Sequence, residues 1–302
     1  MWFWLSLITL VCWSGSDLFS KIGCADARDK YSHLKMVMAV GAVMGLHAAW
    51  EIFVGGTEIN FSVILTYLPV SALYIVSMAL GYVGLRYIEL SISSPICNSS
   101  GALVAVLTLC VSGIGSLNGW QLGAVARVCI GVVGLGIVES REDDELRAAR
   151  QEKGNYKYAK SWLALALPVA YCLLDALGTF ADSLVLETLN EDSANVAYEL
   201  TFLTVGIVCA VYVLGIKKQK LVPKMEGPKY LGAICETAGQ FAYIYAIADK
   251  AHVALSAPII SAYCAASVLW SRIFLKEKLS WKHYAAIAVV VAGIVILGAF
   301  DA

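Results

Sequence analysis

Two carboxylates stand in surroundings that penalise charge. Asp17 lies in CWSGSDLFSK, residues 12–21, and Asp175 lies in ALPVAYCLLDALG, residues 166–178. Each follows an aromatic residue by four positions, Trp13 before Asp17 and Tyr171 before Asp175. Four residues is about one helical turn, so each pair shares a helix face. A carboxylate beside an aromatic face suits an ammonium or other organic cation, through Coulomb attraction and cation–π contact. The same carboxylates could instead carry protons and release them as substrate binds. Lys21, four residues after Asp17, offers a local ion pair as the bland explanation. Position 179, four after Asp175, is Thr179, so a local pair cannot account for the second copy.

A second constellation is Glu236, Gln240 and Tyr243, at i, i+4 and i+7 of one helix face. An acid, an amide and a phenol in one stripe are expensive against lipid, so the stripe is expected to face an interior cavity. Glu199 lies about one turn inside a span end, and the expectation is a mouth residue wetted from outside that could also touch substrate. Asn98 is a candidate hydrogen-bonding residue near Pro95, and both prolines, Pro95 and Pro258, are read as helix-opening. Arg127 needs an acidic partner, with Glu199, Glu51 and Asp182 at plausible depths. A structural or oligomer contact is its expected role. His47 is expected to bond a backbone or hydroxyl group. Asp182 and Glu51 are read as near-surface and outside the site.

The elements that carry these residues follow from composition. Of 302 residues, 59% are hydrophobic and 15% charged, with a mean hydropathy of +0.73. Soluble chains carry about a quarter charged residues. The apolar residues fall in blocks near the ~20 needed to cross a bilayer. Ten spans are predicted, at about 2–22, 33–54, 63–85, 93–112, 120–138, 161–184, 195–216, 229–248, 252–274 and 281–300. All should be helical, because lipid offers backbone groups no partner. The first block lacks a basic leader and is read as a permanent span.

The charged stretch ESREDDELRAARQEKGNYKYAK, 139–160, divides the chain into 1–138 and 161–302, five spans each. Basic residues gather in the connections after odd-numbered spans, whereas Lys250 is alone on the opposite side. Basic loops stay cytoplasmic, which puts both termini outside and the linker inside the cytoplasmic membrane. Segment 67–96 aligns without gaps on 230–259, with Tyr67, Tyr82 and Pro95 matching Tyr230, Tyr245 and Pro258. Five spans per repeat inverts the second copy, a pattern of secondary transporters.

The stretch ALSAPIISAYCAASVLWSRIFLKEKLSWKHYAAIAVVVAGIVILG, 254–298, with Glu277 in its loop, resembles the EamA-type members of the drug/metabolite transporter superfamily. CWSGSDLFSK is similar to that family's opening stretch. The first-half counterpart loop, CVSGIGSLNG, lacks the glutamate. The resemblance implies an all-α polytopic protein, two inverted five-helix repeats around a central cavity, and alternating access for import or efflux of a small metabolite.

An enzyme is disfavoured: His33, His47, His252 and His283 are unclustered, and no nucleophile elbow or metal motif appears. The nine cysteines are scattered, so neither a disulfide framework nor a metal or cofactor is expected. The favoured reading is a transporter of a small organic metabolite, an amine or a zwitterion such as an amino acid. Proton coupling is open, the lipid bilayer is the only other partner expected, and nucleic acid is not. Oligomeric state is open. A non-transporting receptor or assembly partner is the alternative, and a nucleotide-sugar exchanger is a rival within the class. The candidate substrate residues are Trp13, Asp17, Asn98, Tyr171, Asp175, Glu199, Glu236, Gln240 and Tyr243.

Overall fold

The computed structural model describes residues 1–25, 28–87, 90–113, 115, 117–140 and 163–301. The linker expected at 139–160 lies outside the described residues from 141 onward. Ten helices follow in chain order. They are α1 (Trp2–Cys24), α2 (Ser32–Trp50, continued by a π turn, Glu51–Gly55) and α3 (Phe61–Tyr87). Next come α4, in two segments (Leu90–Cys97 and Ser100–Ser112), α5 (Gly119–Ser140) and α6 (Leu163–Val185). After them come α7 (Glu191–Ala210, continued by Val211–Ile216) and α8 (Pro223–Ala248). The last two are α9, again in two segments (Val253–Ser261 and Tyr263–Trp270, continued by Ser271–Leu275), and α10 (Trp281–Asp301).

Local chemistry sets several ends. Asn190 caps α7, its side chain accepting from the backbone of Asp192 and Ser193 at 2.9 and 3.3 Å. Pro223 opens α8, where a missing donor is harmless. Gly56, at φ 74°, turns the chain after α2.

Among the described residues, nine segments are long and apolar enough to cross a membrane. Ten were expected. The shortfall is α8, which at 26 residues has the length but not the apolarity. Its Glu226, Lys229, Glu236 and Gln240 are buried against neighbouring helices, so the protein interior tolerates what lipid would not.

The expected helix-opening prolines sit elsewhere. Pro95 and Pro258 lie inside the first segments of α4 and α9, removing one ladder bond from helices of only 8 and 9 residues. The breaks follow one turn later, at 98–99 and at Ala262. At the α4 break Ser99 turns its N–H to Ile96 O, and its Oγ donates to the Pro95 carbonyl at 3.0 Å, while Asn98 gives both its backbone N–H and its Nδ2 to Ser94 O, at 2.9 and 2.8 Å. Gly101 gives the close approach of α4 to α9, since a side chain there would run into Ser261 and the Ala257 carbonyl.

Every strong pairing between distant helices joins the first five to the last five. Helix α1 packs on α8, α3 on α6, α2 on α7, α4 on α9 and α5 on α10, with α2–α8 and α3–α7 beside them. Exchanging the halves maps this set of pairs onto itself. At α5–α10 even the residues correspond: Gly131 abuts Val290, and Gly293 abuts Val128. Apolar area does not drive association within lipid, so such close packing and interhelical hydrogen bonds do. The lipid-facing sides carry exposed Trp4, Ile8, Val11, Ile130, Val208 and Val295. The largest core cluster, including Met36, Tyr67, Tyr198, Phe202 and Ile247, lies between α2, α3, α7 and α8.

Candidate functional site

The break in α4 sits between the two aspartates. Ser94, before it, donates to Asp17 Oδ2 at 2.5 Å, and Ser267 of α9 donates to the same oxygen at 2.8 Å. Ser100, just after the break, donates to Asp175 Oδ2 at 2.7 Å. Asn98 also reaches Ser94 Oγ at 3.2 Å, which fixes the hydroxyl that holds Asp17. Lys21 turns away and donates to the Leu85 carbonyl at 2.9 Å. The local Asp17–Lys21 pair allowed by the spacing is thus replaced by hydroxyl contacts.

The two aromatic partners are seated alike. Trp13 of α1 lies over Gly239 of α8, and Tyr171 of α6 lies over Gly81 of α3; a Cβ at either glycine would meet the ring. The indole also stacks near Tyr243 and Tyr263, with ring centroids 5.1 and 5.8 Å away.

These residues enclose one cavity, about 70 Å³ of space open to the centre of a water molecule. That is room for roughly five waters, or one small organic molecule. Trp13, Asp17, Asn98, Tyr171, Asp175, Glu236, Gln240 and Tyr243 all line it. Eight of the nine sequence candidates therefore share one wall. Ser16, Ser20, Tyr74, Met78, Tyr82, Tyr198 and Tyr263 complete much of the rest. Within the described residues no lysine or arginine is within ion-pair distance of Asp17, Asp175 or Glu236. Four buried polar atoms on the lining have no hydrogen-bond partner: Trp13 Nε1, Ser20 Oγ, Tyr82 Oη and Gln240 Nε2. All four can donate. The cavity thus offers carboxylates on one hand and unmet donors on the other.

Asp182, read from sequence as near-surface, is fully buried. It accepts from Tyr67 Oη at 2.8 Å and from Tyr74 Oη at 3.5 Å. Tyr74 Oη also lies 3.1 Å from Thr179 Oγ1 and makes a short bond to Tyr243. This cluster ties α3, α6 and α8 together at the Thr179 end of the cavity. The signal was present, because Asp175 and Asp182 are seven apart and share a face of α6.

Glu199 stands apart from the cavity and is fully buried, not wetted as a mouth residue. Its Oε1 and Oε2 lie 2.8 and 3.0 Å from His47 Nδ1, and Asn195 Nδ2 donates to Oε1 at 3.2 Å. His47 therefore bonds a carboxylate, not the backbone or hydroxyl group expected. Arg127 is exposed on α5 and donates to the Gly123 carbonyl of its own helix at 3.0 Å, so none of the three acids considered is its partner. Glu277 is buried in the α9–α10 connection, and its carbonyl accepts from Arg272 at 3.3 Å.

The sequence of residues 162–299 matches the EamA-like transporter family. Residues 162–299 are an EamA-like transporter domain. That family is part of the drug/metabolite transporter superfamily. The EamA-like domain holds α6 to α10, and so supplies Tyr171, Asp175, Glu236, Gln240 and Tyr243. Trp13, Asp17 and Asn98 come from the five helices that precede it. No curated protein matches the sequence. A crystal structure of another protein superposes on 97% of this chain and 94% of its own, at a TM-score of 0.63 and 13% identity. At that identity it shares the fold of this chain and says nothing of substrate. Among the described residues, nine segments apolar enough to span make the chain an integral membrane protein.

Proposed function

We propose that this protein is a secondary active transporter that moves a small zwitterionic or amine metabolite by alternating access. The observation that carries the reading is the cavity's polar composition. Asp17, Asp175 and Glu236 line it with no basic counter-ion among the described residues, while Trp13 Nε1, Gln240 Nε2, Tyr82 Oη and Ser20 Oγ await acceptors. An ammonium group satisfies the acids, with Trp13 and the tyrosines adding cation–π contact. A carboxylate or other acceptor on the same molecule satisfies the donors, each of which is costly to leave unmet in a buried site.

The exchange symmetry of the helix pairs supports two five-helix repeats, at 1–138 and 161–302, built around this cavity. An odd number of spans per repeat inverts the second. The distribution of basic residues supports both termini outside and the linker in the cytoplasm, with the protein in the cytoplasmic membrane. Ser94, Ser267 and Ser100 grip Asp17 and Asp175 across the broken α4 and α9. Protonating or ligating either carboxylate releases those hydroxyls and frees the helix segments to move, which couples occupancy, and protons, to access.

The test is a thermal-shift screen of the purified protein against amines, amino acids, dicarboxylates and sugar nucleotides. Hits are then followed by flux into liposomes under an imposed pH gradient. Stabilisation by amines or amino acids with gradient-dependent flux is expected. Stabilisation by dicarboxylates or sugar nucleotides alone overturns the substrate class, and binding without flux favours a receptor.

A further inference from the structure

A second polar constellation lies outside the cavity, between α2, α7 and α8. His47 of α2 is held between two carboxylates. Glu199 of α7 meets its Nδ1 at 2.8 Å, and Glu51, one turn along α2, lies 3.8 Å from its Nε2. The Glu199 side chain is fully buried, that of His47 is 28% exposed and that of Glu51 is 20% exposed. His47 and Glu51 are thus both open in part to solvent, and Glu199 alone is closed off. Thr57 Oγ1 donates to Glu51 Oε2 at 3.4 Å, anchoring that carboxylate beside the ring. From α8, the edge of Phe241 covers His47, with ring centroids 5.4 Å apart, while Tyr245 is bonded to Asp192 of α7. The charged groups that reach the ring are Glu199 and Glu51.

A permanent cross-helix pair is best built from lysine or arginine, whose charge does not change near neutrality. Histidine is the side chain that exchanges a proton between about pH 5 and 8. We propose that His47, Glu199 and Glu51 form a proton-binding site separate from the substrate cavity, through which pH acts on the transporter. His47 exchanges its proton with solvent, Glu51 beside it favours the charged ring, and the imidazolium–Glu199 pair draws α2 and α7 together. Loss of the proton leaves Glu199 buried with a neutral ring, and the attraction is lost. The two helices have little slack, because Gly41 and Gly206 bring their backbones into contact. The residue before Glu199 on α7 carries the effect inward. Tyr198 lines the cavity, donates to Met78 Sδ at 3.2 Å and meets the Tyr74 ring edge-on at 6.0 Å.

The inference deepens the proposed function by placing a proton site, and its test needs no substrate. Cys97 lines the cavity. In a chain keeping only that cysteine, its alkylation by a water-soluble maleimide reports how open the cavity is. The rate in liposomes, divided by that of a free thiol at the same pH to remove the ordinary growth of thiolate, is expected to change between about pH 5 and 8. His47→Gln and Glu199→Gln are each expected to lose that change, and Glu187→Gln, in an exposed pair with Lys250, to keep it. A separate readout on the unaltered protein guards against misfolded variants. The ring carbon signal of labelled His47 should titrate with the same midpoint as the alkylation step. A flat His47 signal, a parent rate that follows the free thiol throughout, or a step surviving His47→Gln overturns the proton site. Cys97 inert at every pH contradicts a solvent-connected cavity, and with it the proposed function.

Discussion

Four side chains close a ring at the end of the bundle where α1 turns into α2 and α8 begins. Lys35 lies 3.1 Å from Asp29 and 3.3 Å from Glu226, and Lys229 lies 3.1 Å from each of the same two acids. Their side chains are 8% exposed or less. Arg86 adds bonds to the Asp29 carbonyl and to Ser32 Oγ, at 2.5 and 2.6 Å. The ring itself is neutral, two cations against two anions. Lys229→Met removes one cation and leaves Asp29 and Glu226 sharing Lys35 in a dry site. Breaking a buried pair this way costs about 3–5 kcal/mol. For a chain of this length that is a fall of roughly 6–10 °C in the unfolding midpoint. Lys229→Met with Glu226→Gln restores neutrality and should return most of the loss. The assay is thermal unfolding of the purified protein in detergent, with each variant beside its parent. Acid gives an independent handle. Burial pushes the Asp29 carboxyl up, but hydrogen bonds from Lys35 and Lys229, and their charge, outweigh it and hold it below the ordinary carboxylate range. A carboxylate with a depressed folded value contributes stability that is complete above its unfolded value, about 3.9, and is lost as pH falls through the folded one. The midpoint should therefore drop below about pH 4 in the parent, and this part of the drop should vanish in Asp29→Asn. A single Lys229→Met change that shifts the midpoint by less than about 2 °C would refute the reasoning, because it would mean a wet, screened ring.

Two further outcomes follow from other contacts. Tyr67→Phe removes the closest donor to buried Asp182 and should destabilise by about 1–3 kcal/mol, whereas Tyr67→Phe with Asp182→Leu should recover part of it; denaturant titration of the three variants checks this. Gly239→Ala forces the Trp13 indole out of its seat, since the added methyl would overlap the ring, and Gly81→Ala presses more gently on Tyr171. A shift in tryptophan emission for Gly239→Ala, and a smaller thermal loss for Gly81→Ala, is the expected pair of results.

Periodicity and cost carried much of the architecture. A carboxylate is so disfavoured in an apolar helix that Asp17, Asp175 and Glu236 stand out by type alone, and spacing adds Trp13, Tyr171, Gln240 and Tyr243. What sequence could not supply was depth and partner. Asp182 reads as near-surface from its distance to a helix end, yet the packing of α3 on α6 buries it under Tyr67 and Tyr74. Glu199 was expected in water because nothing local to α7 announces His47, 152 positions away. The breaks in α4 and α9 were hidden too, since Pro95 and Pro258 suit a helix start as well as a helix interrupted one turn later. Helix α8 was counted as a span by its length, while its buried ion pairs make it the least apolar of the ten.

The central claim is that Asp17 and Asp175 bind what the cavity carries. The most direct test is flux of the best ligand from the thermal screen into liposomes, inside and outside pH varied, for the parent, Asp17→Asn, Asp175→Asn and the pair. The account predicts that each single change cuts flux and blunts its pH dependence, and that the double change abolishes gradient-driven flux in protein that still unfolds cooperatively. Undiminished flux with the parent's pH dependence in Asp17→Asn and Asp175→Asn would contradict it.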